Sequence, residues 1–403
     1  MTRAPDEPVR QALREAQVPG EGQAEERGWQ VVREAFVERE PRSHRLGSRP
    51  RAALALLGAG LIAAFALTPA GADVREWIAD AIDVGEEDAR PVLGSLPAPG
   101  SVLVESREGV WVLNDDGSRR RLGGYDHATW SPNGLYIGAS EGRELLALTP
   151  QGVERWRIVA PDPIRSLDWS ADEGYRVAYV AGRELHVVAG DGTGDFTLDD
   201  AVDSRAIAWR PETSPTRAIH EIAYVDATNH VTVVDTDSRE VRWRSQEISA
   251  PVESLQWAED GGRLLMVADE FALAFEGDGT TAFKGPIAGG FSQVTLSPDG
   301  EQVAVVWPAR EGGAELKLLP SQPGGAPKRV LYPSSPTSGA IGFGAPTFSP
   351  DGEWILLPWP QADQWIFVRI ADRRVVPVGD ISRQLDANGR GEGSFPRVAG
   401  WCC

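Results

Sequence analysis

The chain has 403 residues, 40 basic against 59 acidic side chains, a formal net charge of −19, and 41% apolar and 25% charged content. That balance fits a folded chain and excludes both a disordered polymer and a nonspecific nucleic-acid binder, which works by neutralising phosphates. Two adjacent cysteines, Cys402 and Cys403, and five scattered histidines supply neither a disulfide framework nor the ligands of a structural zinc site.

Residues 1–51 hold 10 arginines and 9 acidic residues. Within 22–39, Trp29, Val32, Phe36 and Val37 follow helical spacing, with Arg33 interrupting the stripe. A segment this short cannot bury that face alone. It reads as a cytoplasmic helical head that docks a partner through Trp29, Val32 and Phe36. The alternatives are a helix on the membrane surface or one folded back on residues 6–17.

Residues 52–72 form 21 uncharged positions in a row. At about 1.5 Å rise per residue they reach about 31 Å, one hydrocarbon core. Arg39, Arg42, Arg45, Arg49 and Arg51 precede the run, and Asp73, Glu76 and Asp80 follow it. The positive-inside rule then predicts a single-pass cell-membrane helix, a cytoplasmic N-terminus and an extracytoplasmic body. Two readings compete: a buried core helix, against which the uncharged length and the arginine fence stand, and removal after Ala72, because Ala70-Gly71-Ala72 resembles a cleavage site, although about 50 preceding residues exceed an ordinary signal n-region. No cysteine near the run would take a lipid.

Residues 73–100 read as a juxtamembrane helix and linker. Asp73 and Glu76 make a capping box; Val74, Trp77, Ile78, Ala81 and Ile82 keep helical spacing; Pro91, Pro97 and Pro99 end it.

Residues 101–403 form a repeat. An anchor residue, a Ser-Pro-Asp-Gly-like turn and an apolar run recur at Trp130, Trp169, Trp209, Trp257, Leu296 and Phe348, spaced 39, 40, 48, 39 and 52 residues apart. Proline presets the turn, Asp or Asn bonds back to the backbone, and Gly follows where a side chain is unwelcome. Each turn leads into short strands, as at 135–139, 264–267, 302–306 and 354–357. Four strands in about 40 residues is the period of a propeller blade. The repeats resemble those of WD-type and TolB-like β-propellers, over about three quarters of the chain. The body opens with three strands lacking an anchor strand, and it ends with an anchor strand around Trp401 lacking followers. The prediction is therefore an all-β, seven-bladed propeller over 101–403, its C-terminal strand completing the N-terminal blade. Six blades is the alternative, with Trp401 as a tail.

Several motifs invite chemistry. Gly138-Ala-Ser-Glu-Gly142 matches a nucleophile elbow, but it joins two strands where the elbow requires a strand and a helix, so Ser140 is not expected to act. Asp191-Gly-Thr-Gly-Asp195 and Glu276-Gly-Asp-Gly279 read as hairpin turns rather than calcium loops. The segments 149–156 and 237–243, ending in Trp156 and Trp243, resemble the outer-strand Trp motif of quinoprotein-type propellers. Only two match and the cysteine pair is terminal, so no cofactor is expected. Cys402 and Cys403 could form a ring, pair with another chain or stay reduced.

Residues just before each anchor should line the tunnel mouth: Asp126, His127, Arg165, Arg205, Glu253, Gln293 and Arg397. The functional expectation is a noncatalytic module binding a protein, peptide or envelope ligand. The resemblance to TolB-like propellers implies protein interaction. One alternative is a transmembrane, anti-sigma-like regulator with the propeller as sensor. Another is a propeller enzyme of lyase, glycosidase or quinoprotein type. Low Lys with high Arg and Ala suggests a bacterial source.

Overall fold

A computed structural model of the chain describes residues 95–170, 175–211, 220–269, 271–286, 293–308, 314–322, 329–333, 343–385 and 395–403. The helical head with Trp29, Val32 and Phe36, the proposed membrane span 52–72 and the juxtamembrane helix lie outside the described residues. Among the described residues no helix is long and apolar enough to cross a membrane.

Among the described residues, twenty-eight strands form seven four-stranded antiparallel sheets. We number these blades from the N-terminus. Blade 1 combines Ser101–Ser106, Gly109–Asn114 and Arg119–Gly123 with the last strand of the chain, Arg397–Cys402. Blades 2 to 7 are consecutive meanders over 127–159, 164–199, 207–244, 252–286, 294–333 and 347–379. The count is seven, and the six-bladed alternative falls because Trp401 lies in a paired strand rather than a tail. Ser101 faces Cys402, Val102 faces Trp401 and Glu105 faces Arg397 across the closing pair.

The anchors are the reason that each blade starts where it does. Trp130, Trp169, Trp209, Trp257, Leu296 and Phe348 each end the first strand of their blade, and Trp401 is the penultimate residue of the closing strand. Six of the seven are buried and Trp130 is half-buried. Burying one large apolar side chain is worth about 1.5–3 kcal/mol, so a ring of seven such plugs between sheets supplies much of the inter-blade cohesion. The separate apolar clusters confirm the arrangement, because each draws on adjacent sheets: Leu255, Leu264 and Phe275 of blade 5 pack with Ala223 and Val233 of blade 4.

After each anchor the turn is built as the sequence dictates. In blade 2 the Ser131 hydroxyl donates to Asn133 Oδ1 at 2.8 Å and accepts the Tyr136 N–H at 2.9 Å. Ser297 and Asp299, and Ser349 and Asp351, repeat this pattern in blades 6 and 7. The turn therefore consumes residues through Tyr136. The next strand runs Ile137–Glu141, two residues later than the sequence pattern suggests, and leaves Leu135 exposed.

Arginines bridge neighbouring blades. Arg176 of blade 3 donates to Thr236 Oγ1 of blade 4 at 2.7 Å. Arg210 of blade 4 donates to the Gly261 and Gly277 carbonyls of blade 5. Arg263 of blade 5 donates to the Gly300 carbonyl and to Ser321 of blade 6. The sequence reading did not anticipate one element, a short helix Ile381–Leu385, whose Ile381 and Leu385 are buried with Trp354, Trp365 and Trp401.

Candidate ligand-binding tunnel

The first strands of blades 2 to 7 and the closing strand surround one cavity of about 1180 Å³. It exceeds the usual small-molecule pocket, which holds about 300–1,000 Å³. Each strand enters it at one mouth and leaves at the other, so the two mouths have different compositions.

The entry mouth carries the polar residues. His127, Arg165, Arg205, Glu253 and Arg397 all line the cavity. Asp126 and Gln293 are not among its lining residues. Asp126 accepts the Gly142 N–H at 2.8 Å at the start of the next hairpin, and the Gln293 backbone carbonyl accepts the Val306 N–H. Arg397 is paired with Glu105. Arg165 donates to the Val202 and Asp203 carbonyls, both at 3.3 Å. Burial and the neighbouring Arg205 cation both lower the Arg165 pKa from its ordinary value. The polar sector is thus cationic over blades 3 and 4, and Glu253 follows on blade 5.

The middle of the tunnel contains residues that the sequence reading missed. Asp168 Oδ2 accepts the Trp209 N–H at 2.9 Å, from blade 3 to blade 4, and Oδ1 accepts the Trp169 N–H at 3.0 Å. Gln256 of blade 5 accepts the Leu296 N–H of blade 6 at 3.0 Å. Glu105 of blade 1 accepts the Ala128 N–H of blade 2 at 2.9 Å. A first strand has one edge without a strand partner, and an unpaired buried N–H is costly. These side chains satisfy that edge from the preceding blade. The signal was a polar residue directly before an anchor Trp, at Asp168 and Gln256. Burial raises the Asp168 pKa to about 6, and its two backbone N–H partners offset only part of the shift.

The exit mouth is lined by prolines of the recurring turns, Pro132, Pro211, Pro298 and Pro350, with Glu259 and the C-terminal cysteines. Cys402 and Cys403 are joined to each other in a disulfide. Cys403 Sγ lies 3.5 Å from the Pro132 carbonyl oxygen.

The other motifs resolve into architecture. Ser140 faces His127 in the strand register but is buried, and among the described residues its hydroxyl has no hydrogen-bond partner, so the two do not form a nucleophile–base pair. No helix follows it: the chain turns into the strand Glu144–Leu148. The Asp191 carboxylate accepts the Thr193 N–H and hydroxyl, and Asp278 accepts the Thr280 N–H, both within their own hairpins. Among the described residues no group of three or more His, Cys, Asp or Glu could hold a metal ion.

No known family model matches the chain, and no curated protein matches it. Among solved structures it is similar to the β-propeller domain of Cps50 (Swd1) from Myceliophteria thermophila, at 15% identity, covering 71% of this chain and 99% of that one, with a TM-score of 0.48. It is also similar to Hsv2 from Kluyvelomyces marxianus, at 10% identity over 70% and 94% of the two chains, TM-score 0.48. A third is Kuenenia stuttgartiensis hydrazine synthase, at 14% identity over 61% and 77%, TM-score 0.47. Likenesses this distant carry no functional argument, and the seven-bladed fold rests on the chain's own sheet order.

Proposed function

We propose that the chain is a noncatalytic binding module that takes a peptide or protein segment into the propeller tunnel, held outside the cytoplasmic membrane by the span at 52–72. The observation that carries the binding reading is the tunnel itself: about 1180 Å³, lined by all seven first strands, with apolar walls such as Leu167, Ile207 and Leu255 below a polar mouth. That combination suits an extended chain better than a single small metabolite. The uncharged run of 21 residues behind its arginine fence supports the anchor.

The test is capture of a random dodecapeptide library by the full chain, beside a Ser254→Trp variant. Ser254 is exposed and lines the tunnel, so an indole there fills space without displacing core. The wild-type chain should enrich a peptide pool that the filled variant does not retain. Equal retention by both would remove the tunnel from the binding site.

A further inference from the structure

The cationic sector of the entry mouth has a feature that blade packing does not explain. Arg165 and Arg205 sit on neighbouring blades and line the same cavity. Neither forms an ion pair among the described residues. Asp203, the carboxylate that acts on Arg165, is engaged by Arg183 at 3.0 Å. Arg205 is exposed, and its side chain makes no hydrogen bond among the described residues. The Arg165 guanidinium is oriented by the Asp203 and Val202 carbonyls, to which Nη1 and Nη2 donate at 3.3 Å.

Two like charges facing one cavity repel until an anion joins them. A planar guanidinium pair matches a carboxylate, which accepts parallel N–H bonds. We infer that Arg165 and Arg205 clamp one carboxylate, an acidic side chain or the free C-terminus of a peptide whose apolar part lies against Leu167, Ile207 and Leu255. This rests on the peptide-binding reading and deepens it. The chain's charge of −19 and Glu253 on the next blade oppose polyanions, whereas one carboxylate seated between Arg165 and Arg205 adds a single negative charge to the cationic sector.

The experiment pans the same dodecapeptide library on the full chain and on Arg205→Gln. That variant should fold normally, because its side chain is exposed and unbonded. Peptides enriched by the wild type should carry Asp, Glu or an obligatory free C-terminus. Synthesised singly, they should bind Arg205→Gln about tenfold or more weakly, the scale of a lost charge-assisted pair. Changing their acid to the amide should produce a similar loss. Succinate should displace them, and inorganic phosphate should not. A pool without acidic bias, or one bound equally by Arg205→Gln, overturns the clamp and leaves tunnel binding intact. Displacement by phosphate alone overturns the assignment to a carboxylate. A wild-type pool no richer than that of Ser254→Trp overturns tunnel binding and the clamp together.

Discussion

Asp168 shows what the tunnel wall asks of a single residue. It lies within the first strand of blade 3 and spends both carboxylate oxygens on backbone N–H groups, one of them across the blade boundary at Trp209. The fold raises its pKa from 3.8 to about 6, with burial as the largest cause. A carboxyl group raised in this way favours the folded state when protonated. Its contribution is complete below about pH 4 and is lost as pH rises through about 6. This is opposite in direction to ordinary acid unfolding. The shift corresponds to about 3 kcal/mol. Asp168→Asn keeps an acceptor for the Trp209 N–H and removes the titration. Measured by urea unfolding at each pH, the stability of the wild type minus that of Asp168→Asn should fall by about 2–3 kcal/mol between pH 4 and pH 7.5. A difference that stays flat would show that Asp168 is not held in the wall as described.

Between residue and molecule, the blades are joined by two glycine-rich hairpins that serve as seats. Trp156, in the outermost strand of blade 2, donates its Nε1–H to the Gly190 carbonyl of blade 3 at 2.7 Å. Trp243 of blade 4 donates to Gly277 of blade 5 at 3.2 Å. Gly192 and Gly279 lie beneath the two indoles with φ of +83° and +88°. A Cβ on Gly192 would approach the Trp156 ring to 2.9 Å, and one on Gly279 the Trp243 ring to 2.7 Å. Gly142 is the useful contrast: its φ is +57°, but a Cβ there meets nothing within 4 Å. Gly142→Ala should therefore cost only the backbone term, about 1 kcal/mol. Gly192→Ala should cost about 2–3 kcal/mol, because it adds displacement of a packed ring. Pairing Gly192→Ala with Trp156→Ala should return the steric part in a double-mutant cycle of unfolding free energies. Additive losses would mean that the indole does not rest on this hairpin. These contacts also show what the sequence made legible. The anchors and Ser-Pro-Asp-Gly turns are local patterns, closed within about six residues, so seven blades and five of the seven proposed mouth residues could be placed from spacing. The hairpins were recognisable as turns, but their partners are 34 residues away and depend on how sheets twist against each other. The same holds for Asp168 and Trp209. The helix Ile381–Leu385 is too short to show a period.

At the scale of the whole ring, the last strand is the clasp. Arg397–Cys402 supplies the first strand of blade 1, pairing with Ser101–Ser106 from the other end of the body. Trp401 is buried, meets Phe367 of blade 7 edge-on at 5.7 Å, and donates its Nε1–H to the Pro99 carbonyl at 3.1 Å. Gly100 is required opposite it: φ is +99°, and a Cβ would come within 2.6 Å of the Cys402 carbonyl oxygen. Closure removes the exposed edge that an open propeller would present at Ser101–Ser106. The contribution is thus larger than that of one side chain. Trp401→Ala should cost about 3–5 kcal/mol, the usual loss for a buried Trp, while leaving a closed ring. Deleting residues 395–403 should do more, because the freed edge of blade 1 is a template for another chain. The truncated protein should sediment as a mixture of oligomers, and a synthetic peptide of residues 395–403 should return it to one species by adding the missing strand. That rescue separates a clasp from general destabilisation, since an ordinary loss of stability is not repaired in trans by nine residues. A truncated chain that stays in one species and unfolds with the cooperativity of the whole would show that the ring does not depend on its final strand.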